Sequence, residues 1–98
     1  MPTIAMIVTI KLRNVADADR YEANLLASRD RFLRDESGTL QFDILRPEGT
    51  ENTLMIYEVY ADEAAFKAHH EGDIKKQGIT EIEDIQREAV WTKCIRLD

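Results

Sequence analysis

Residues 4–13, IAMIVTIKLR, alternate. Ile4, Met6, Val8, Ile10 and Leu12 fall on one parity, and Ala5, Ile7, Thr9 and Lys11 on the other. Successive side chains on a strand point to opposite faces, so the pattern predicts a strand with one apolar face and a second face that is apolar near its start. Such a strand must be covered on both sides, by more than one helical layer or by a partner chain. With 98 residues there is room for one domain, 1–98, and a domain this small buries only roughly two thirds of its unfolded surface. Help from a second subunit is therefore expected.

The remaining segments narrow the fold. Residues 14–38, NVADADRYEANLLASRDRFLRDESG, read as a long helix with Asp17 as N-cap and Gly38 as the stop. Ala18, Tyr21, Leu25, Ser28 and Phe32 recur at steps of three and four, and Leu26 and Leu33 widen the stripe. Two strand-like runs, Thr39–Pro47 and Asn52–Tyr60, flank the polar connection EGTE and predict an antiparallel hairpin. Asp62 then caps a short helix with Ala65, Phe66 and His69 on one face, ended by Gly72. A further helical segment, Asp73–Ile85, aligns Ile74, Gly78, Ile82 and Ile85, and Ala89–Leu97 reads as a last strand with Trp91, Lys93, Ile95 and Leu97 on one parity. The order β α β β α α β is that of an α+β, ferredoxin-like split βαβ fold with an antiparallel sheet.

Charge and cysteine content exclude several classes. A formal net charge of −6 with no Lys/Arg cluster argues against nucleic acid and anionic membrane as partners. The single cysteine, Cys94, rules out an internal disulfide framework and a Cys-based zinc site; it reads as a small core residue in a cytoplasmic protein. The N-terminal apolar run lacks a basic leader and is too short to span a bilayer. The phosphate-loop, dinucleotide, HExxH and nucleophile-elbow patterns do not occur.

The chemistry-bearing stretch is YEVYADEAAFKAHH, Tyr57–His70, which holds the only two histidines. A helix turns about 100° per residue, so the pair cannot serve one site. His69 shares the core-facing stripe with Ala65 and Phe66, whereas His70 is expected in solvent beside Lys67. Glu58 is anomalous: a carboxylate mid-strand between Tyr57 and Val59 must reach solvent or find a partner, and His69 is a candidate partner across the tight turn. Packing or capping at the helix end is the plainer account of His69, and a surface charge on an edge strand or an intersubunit ion pair is the alternative for Glu58. A metal site built on His69 and Asp73 lacks further ligands, so no metal is expected. Trp91 could stack on an aromatic ligand or pack a core or dimer interface.

The run GTLQFDILRP and the later YEVYADEAAFKAHH together resemble the antibiotic biosynthesis monooxygenase domain family, especially its short quinol monooxygenase-like and autoinducer-2 phosphate isomerase-like members. The resemblance rests on Phe42–Leu45 and Tyr57–His69 and extends in element order over nearly the whole chain. It implies a homodimeric α+β barrel in which two sheets pack together with exchanged C-terminal strands. It also implies a cavity between sheet and helices, with His69 as motif histidine and catalytic base, Glu58 and Tyr60 as its strand partners, and Phe42, Phe66 and Trp91 as substrate-contacting residues. The implied chemistry needs no cofactor: a quinol-like or polyphenolic substrate reacts with dioxygen once deprotonated. A hydroxy-ketone isomerase, or a non-catalytic dimeric protein that holds a small molecule, are the alternatives. Isomerase-like relatives often carry a second histidine where this chain has Ile74. Haem-degrading relatives use a first-strand Asn and a Trp near the second helix, where this chain has Val8 or Thr9 and Tyr60 or Phe66.

Overall fold

The computed structural model describes residues 2–98. Its elements are β1 (Ile4–Leu12), α1 (Val15–Asp35), β2 (Thr39–Leu45), β3 (Thr53–Tyr60), α2 (Glu63–His70), α3 (Asp73–Glu81) and β4 (Arg87–Ile95). The strands form one antiparallel sheet in the order β2-β3-β1-β4, the ferredoxin-like arrangement.

The first strand behaves as its alternation requires. Ile4, Met6, Val8, Ile10 and Leu12 are all buried under the helices. The register Met6↔Glu58, Glu58↔Phe42 and Val8↔Trp91 puts those side chains on the same, helix-covered face. On the reverse face Ile7 pairs with Tyr57 and Thr92, and Thr9 with Met55 and Val90. No helix packs there, and Ile7, Leu45 and Val90 are exposed.

The long helix starts earlier than expected. Asn14, not Asp17, is the N-cap: its side chain accepts from the Asp17 N–H at 2.8 Å. Asp17 falls in the first turn and pairs with Arg13 instead. The end is also earlier, at Asp35, where the Glu36 N–H still donates to Phe32 O at 2.9 Å. Gly38 therefore does not stop the helix. It sits in the turn after it, where a Cβ would lie 2.4 Å from that of Ala65, so only glycine lets this turn pass so close to α2. The expected stripe, Ala18, Tyr21, Leu25, Ser28 and Phe32, is buried, but Leu26 lies about 100° away and is exposed.

The second half departs more. α3 stops at Glu81, although Ile82 and Ile85 beyond it are buried. They plug the end of the core from a loop that Arg20 clamps, donating to both Asp84 carboxylate oxygens at 2.6 and 2.9 Å and to Glu81 O at 2.9 Å. A further hydrogen bond, from Asn24 Nδ2 to Gly78 O at 3.0 Å, holds α3 on α1. β4 runs from Arg87 to Ile95, two residues upstream of the expected span. Cys94 is not a core residue: it is half-buried on this edge strand, on the helix-free face. Helices α2 and α3 reach β4 through single side chains, His70 and Lys75 at Trp91 and Glu63 at Lys93, so the helix-side Trp91 and Ile95 remain exposed.

Candidate active site

The gap between α3 and β4 opens into a cavity of about 140 Å³ over the middle of the sheet. Its floor is Met6, Val8, Ile10 and Ile56, its roof Leu25, Ser28 and Phe32 of α1, and Trp91 and Ala89 stand at the β4 side. At one end the polar groups gather: Glu58, His69, His70 and Lys75.

His69 is the centre of this polar end. It is 3% exposed, because the register of α2 turns it inward among the rings of Phe32, Phe42 and Tyr60, at centroid distances of 4.4, 5.9 and 5.0 Å. Its Nδ1 lies 2.8 Å from Oε1 of Glu36. A carboxylate accepts only, so Nδ1 carries the hydrogen and Nε2 of the neutral ring keeps its lone pair. That nitrogen is 3.8 Å from Glu58 Oε1, too far for a direct hydrogen bond. Thr39 Oγ1 donates to the same Glu36 oxygen at 2.8 Å and fixes the carboxylate from below. Burial holds the His69 pKa below the usual histidine value, with Glu36 opposing that shift.

Glu58 is buried as well, and its carboxyl accepts from the Tyr60 hydroxyl. Desolvation raises its pKa, against the lowering effects of that hydrogen bond and of the charge on Lys75. The Tyr60 hydroxyl is pushed far up by burial, then by Glu58, and stays protonated. The set is therefore a neutral imidazole with a free Nε2, oriented by one carboxylate, facing a second carboxyl whose pKa burial raises. It can take a proton from one atom of a small molecule and return one to another.

The residues singled out in the sequence are not all brought to the cavity. Glu58, His69, Phe42 and Trp91 line it. Tyr60, fully buried, lies behind Glu58, and Phe66 lies outside, edge-on to Tyr60 and stacked on His70. The expectation that His70 is solvated is overturned. The ring is half-buried at the cavity rim, with Nδ1 2.8 Å from Lys75 Nζ, because α3 turns back and lays Lys75 across it.

Glu36 and Lys75 were not foreseen. Glu36 is 33 residues from His69, and its only local sign is its place at the end of an amphipathic helix. Lys75 had a legible sign: with Ile79 and Ile82 it forms an i, i+4, i+7 row, which puts a lysine on an apolar stripe. Among the described residues no three His, Cys, Asp or Glu side chains gather as a metal site, and no helix is long and apolar enough to cross a membrane.

Solved structures share this architecture. A candidate antibiotic biosynthesis monooxygenase from Caulobacter crescentus superposes with a TM-score of 0.91 at 21% identity, over 99% of this chain and 92% of that one. A candidate of the same kind from Bacteroides thetaiotaomicron gives 0.87 at 23%, over 99% and 91%. SnoaB from Streptomyces nogalater, a cofactor-independent oxygenase, gives 0.77 at 13%, over 100% and 96%. At these identities the likeness is one of fold. Among curated protein sequences none matches the chain. The sequence profile of the antibiotic biosynthesis monooxygenase family matches residues 3–80, most of the chain and all the elements that carry Glu36, Glu58 and His69, and the protein belongs to that family.

Proposed function

We propose that the protein is a cofactor-independent monooxygenase that oxidises a quinol-like or polyphenolic small molecule with dioxygen. The observation that carries this reading is His69: Glu36 fixes its tautomer, and its free Nε2 faces a largely apolar cavity. The cavity, at about 140 Å³, is smaller than the roughly 300–1,000 Å³ typical of sites for drug-sized ligands, which suits a small ring.

In this mechanism Nε2 takes the proton of a substrate hydroxyl, and Glu36 stabilises the imidazolium. The resulting anion gives one electron to dioxygen, and the two radicals join at a ring carbon as a substrate peroxide. Loss of water leaves a carbonyl: a hydroquinone and one O2 yield a hydroxyquinone and one H2O. The protein contributes the base, the orientation and the exclusion of bulk water by Phe32, Phe42 and Ile56.

A homodimer is part of the proposal. The helix-free face of the sheet presents Ile7, Leu45, Val90, Met55 and Tyr57, an apolar surface that a second copy would cover. The acidic charge balance and the single cysteine suit a cytoplasmic protein without nucleic-acid or membrane partners.

One observation favours a second reading. Glu58, with its raised pKa and its oxygen 3.8 Å from His69 Nε2, supplies the acid that an isomerase of a small hydroxy-ketone would need beside the base. Oxygen-electrode measurements with a panel of hydroquinones separate the two. Uptake that disappears in His69→Ala is the expected result. Uptake unchanged in that variant removes the base role, and no uptake with any hydroquinone removes the oxygenase reading.

A further inference from the structure

One cation in the cavity wall is left without a task by the oxidation chemistry. Lys75 projects from α3 with Nζ 2.8 Å from His70 Nδ1 and 5.5 Å from the centre of the Trp91 ring. It is half-buried, and among the described residues no carboxylate lies within ion-pairing distance of it. The other cation lining the cavity, Arg87, is committed elsewhere. Its guanidinium lies 5.4 Å over the Tyr21 ring and donates to Ile82 O and Ile85 O at 3.1 and 3.2 Å. An ammonium has three donors, and only one of Lys75's is used by His70.

We propose that Lys75 binds the oxygen of the substrate that His69 deprotonates, and that it is the cation that stabilises the resulting phenolate. This rests on the phenol-oxidising reading and deepens it: the substrate class becomes one whose reactive form is an oxyanion held against an ammonium. The geometry suits the task. Lys75, His70 and Trp91 form the rim at the end of the cavity where His69 and Glu58 stand, so an aromatic ring entering past Trp91 leads with its hydroxyl. The charge of Lys75 lowers the Glu58, His69 and His70 pKa values, while burial lowers the pKa of Lys75 itself and Glu58 opposes that shift. A phenol in the same volume feels the same field. The charged groups that bear on it are Glu58 from β3, His69 and His70 from α2, and Lys75 from α3, with Arg87 at the far end on β4. Glu36 stands behind His69, and Lys93 is turned to Glu63 at 2.5 Å. No redox step is involved; a proton moves from the hydroxyl to Nε2, and the oxyanion accepts an N–H of Nζ that His70 does not use.

The test uses 4-nitrophenol, whose phenolate absorbs in the visible, and 4-nitroanisole, which has the same ring and cannot ionise. Titration of the bound dye gives its pKa in the wild-type protein, in Lys75→Met and in Lys75→Arg. The expected result is a bound pKa higher in Lys75→Met than in wild type by about one unit or more. Phenolate affinity falls about tenfold in that variant, Lys75→Arg keeps most of the wild-type behaviour, and 4-nitroanisole binds all three equally. An identical bound pKa in wild type and Lys75→Met overturns the Lys75 assignment and leaves the His69 chemistry standing. Equal losses of 4-nitroanisole and phenolate binding in Lys75→Met also overturn it, since they mark a merely structural role. Failure of both dyes to bind the wild type overturns the phenol reading itself, and this inference with it.

Discussion

Glu36 and His69 meet across the site at 2.8 Å, one from the end of α1 and the other from the last turn of α2. The contact sets which imidazole nitrogen is free, and it exists only because the turn at Gly38 brings the two helix ends together. It also separates two jobs in the proposed mechanism: Glu36 orients the ring and His69 takes the proton.

Removing the orienting partner should affect rate more than binding. In Glu36→Gln, hydroquinone-dependent oxygen uptake should fall in kcat with little change in KM. The acidic limb of the pH profile should move to lower pH, because Glu36 is what holds the His69 pKa up against burial. His69→Gln should lose on the order of 10²–10⁴ in kcat, the usual contribution of a general base. Steady-state kinetics across pH 5–9 checks both; a fall confined to KM in Glu36→Gln would contradict the orienting role.

Stability should respond to pH in two opposite senses. The His69 and His70 pKa values are lowered in the folded protein, by burial first, so between those values and the unfolded 6.5 the unfolded chain binds more protons. Their contribution is complete above 6.5 and is lost as pH falls. Glu58 acts the other way. Its pKa is raised by burial, so its contribution is complete below the unfolded 4.5 and is lost as pH rises through the folded value. Urea melts of Glu58→Gln should show the variant more stable than wild type at pH 7, with the advantage vanishing near pH 4. A constant difference at all pH values would mean that Glu58 is not titrating as described.

Gly38→Ala should destabilise the fold by roughly 1–3 kcal/mol, the range for overpacking, because the new methyl would meet Ala65 Cβ at 2.4 Å and neither atom can swing away. In a double-mutant cycle, Ala65→Gly should recover part of that loss despite costing about 1 kcal/mol of helix propensity alone. Strict additivity of the two changes in chemical denaturation would show that the contact is relieved elsewhere.

Light scattering at micromolar concentration should give about twice the 11.3 kDa chain mass for the wild type. Ile7→Arg, at the centre of the helix-free face beside Tyr57 and Thr92, should give the monomer mass with the far-UV spectrum retained. A wild-type monomer would remove the barrel dimer.

Much of the framework was legible because it stems from short-range patterns. The strand parity of residues 4–12, the α1 stripe and the Asp62 cap are consequences of 2.0- and 3.6-residue periods and of orphan N–H groups at a helix start. Boundaries slipped where two residues of equal merit competed, as with Asn14 and Asp17, or where buried residues continued past the helical hydrogen bonds, as at Ile82 and Ile85. His69 and Glu58 were legible as candidates because a polar residue on an apolar face stands out. Their setting was not: Glu36 looks like any charged residue at a helix end, and Lys75 shows itself only as a lysine on the apolar row of Ile79 and Ile82.

The sequence by itself determined the order of elements, the buried parity of β1, the buried stripe of α1 and the inward turn of His69, since all four rest on periodicity along one segment. Only the tertiary structure decided that Tyr60 sits behind Glu58 and not in the cavity, that His70 faces Lys75, and that Glu36 is the partner of His69. Those contacts join segments up to 33 residues apart, and their distances are set by the packing of α1, α2 and α3 on the sheet, which no local pattern encodes.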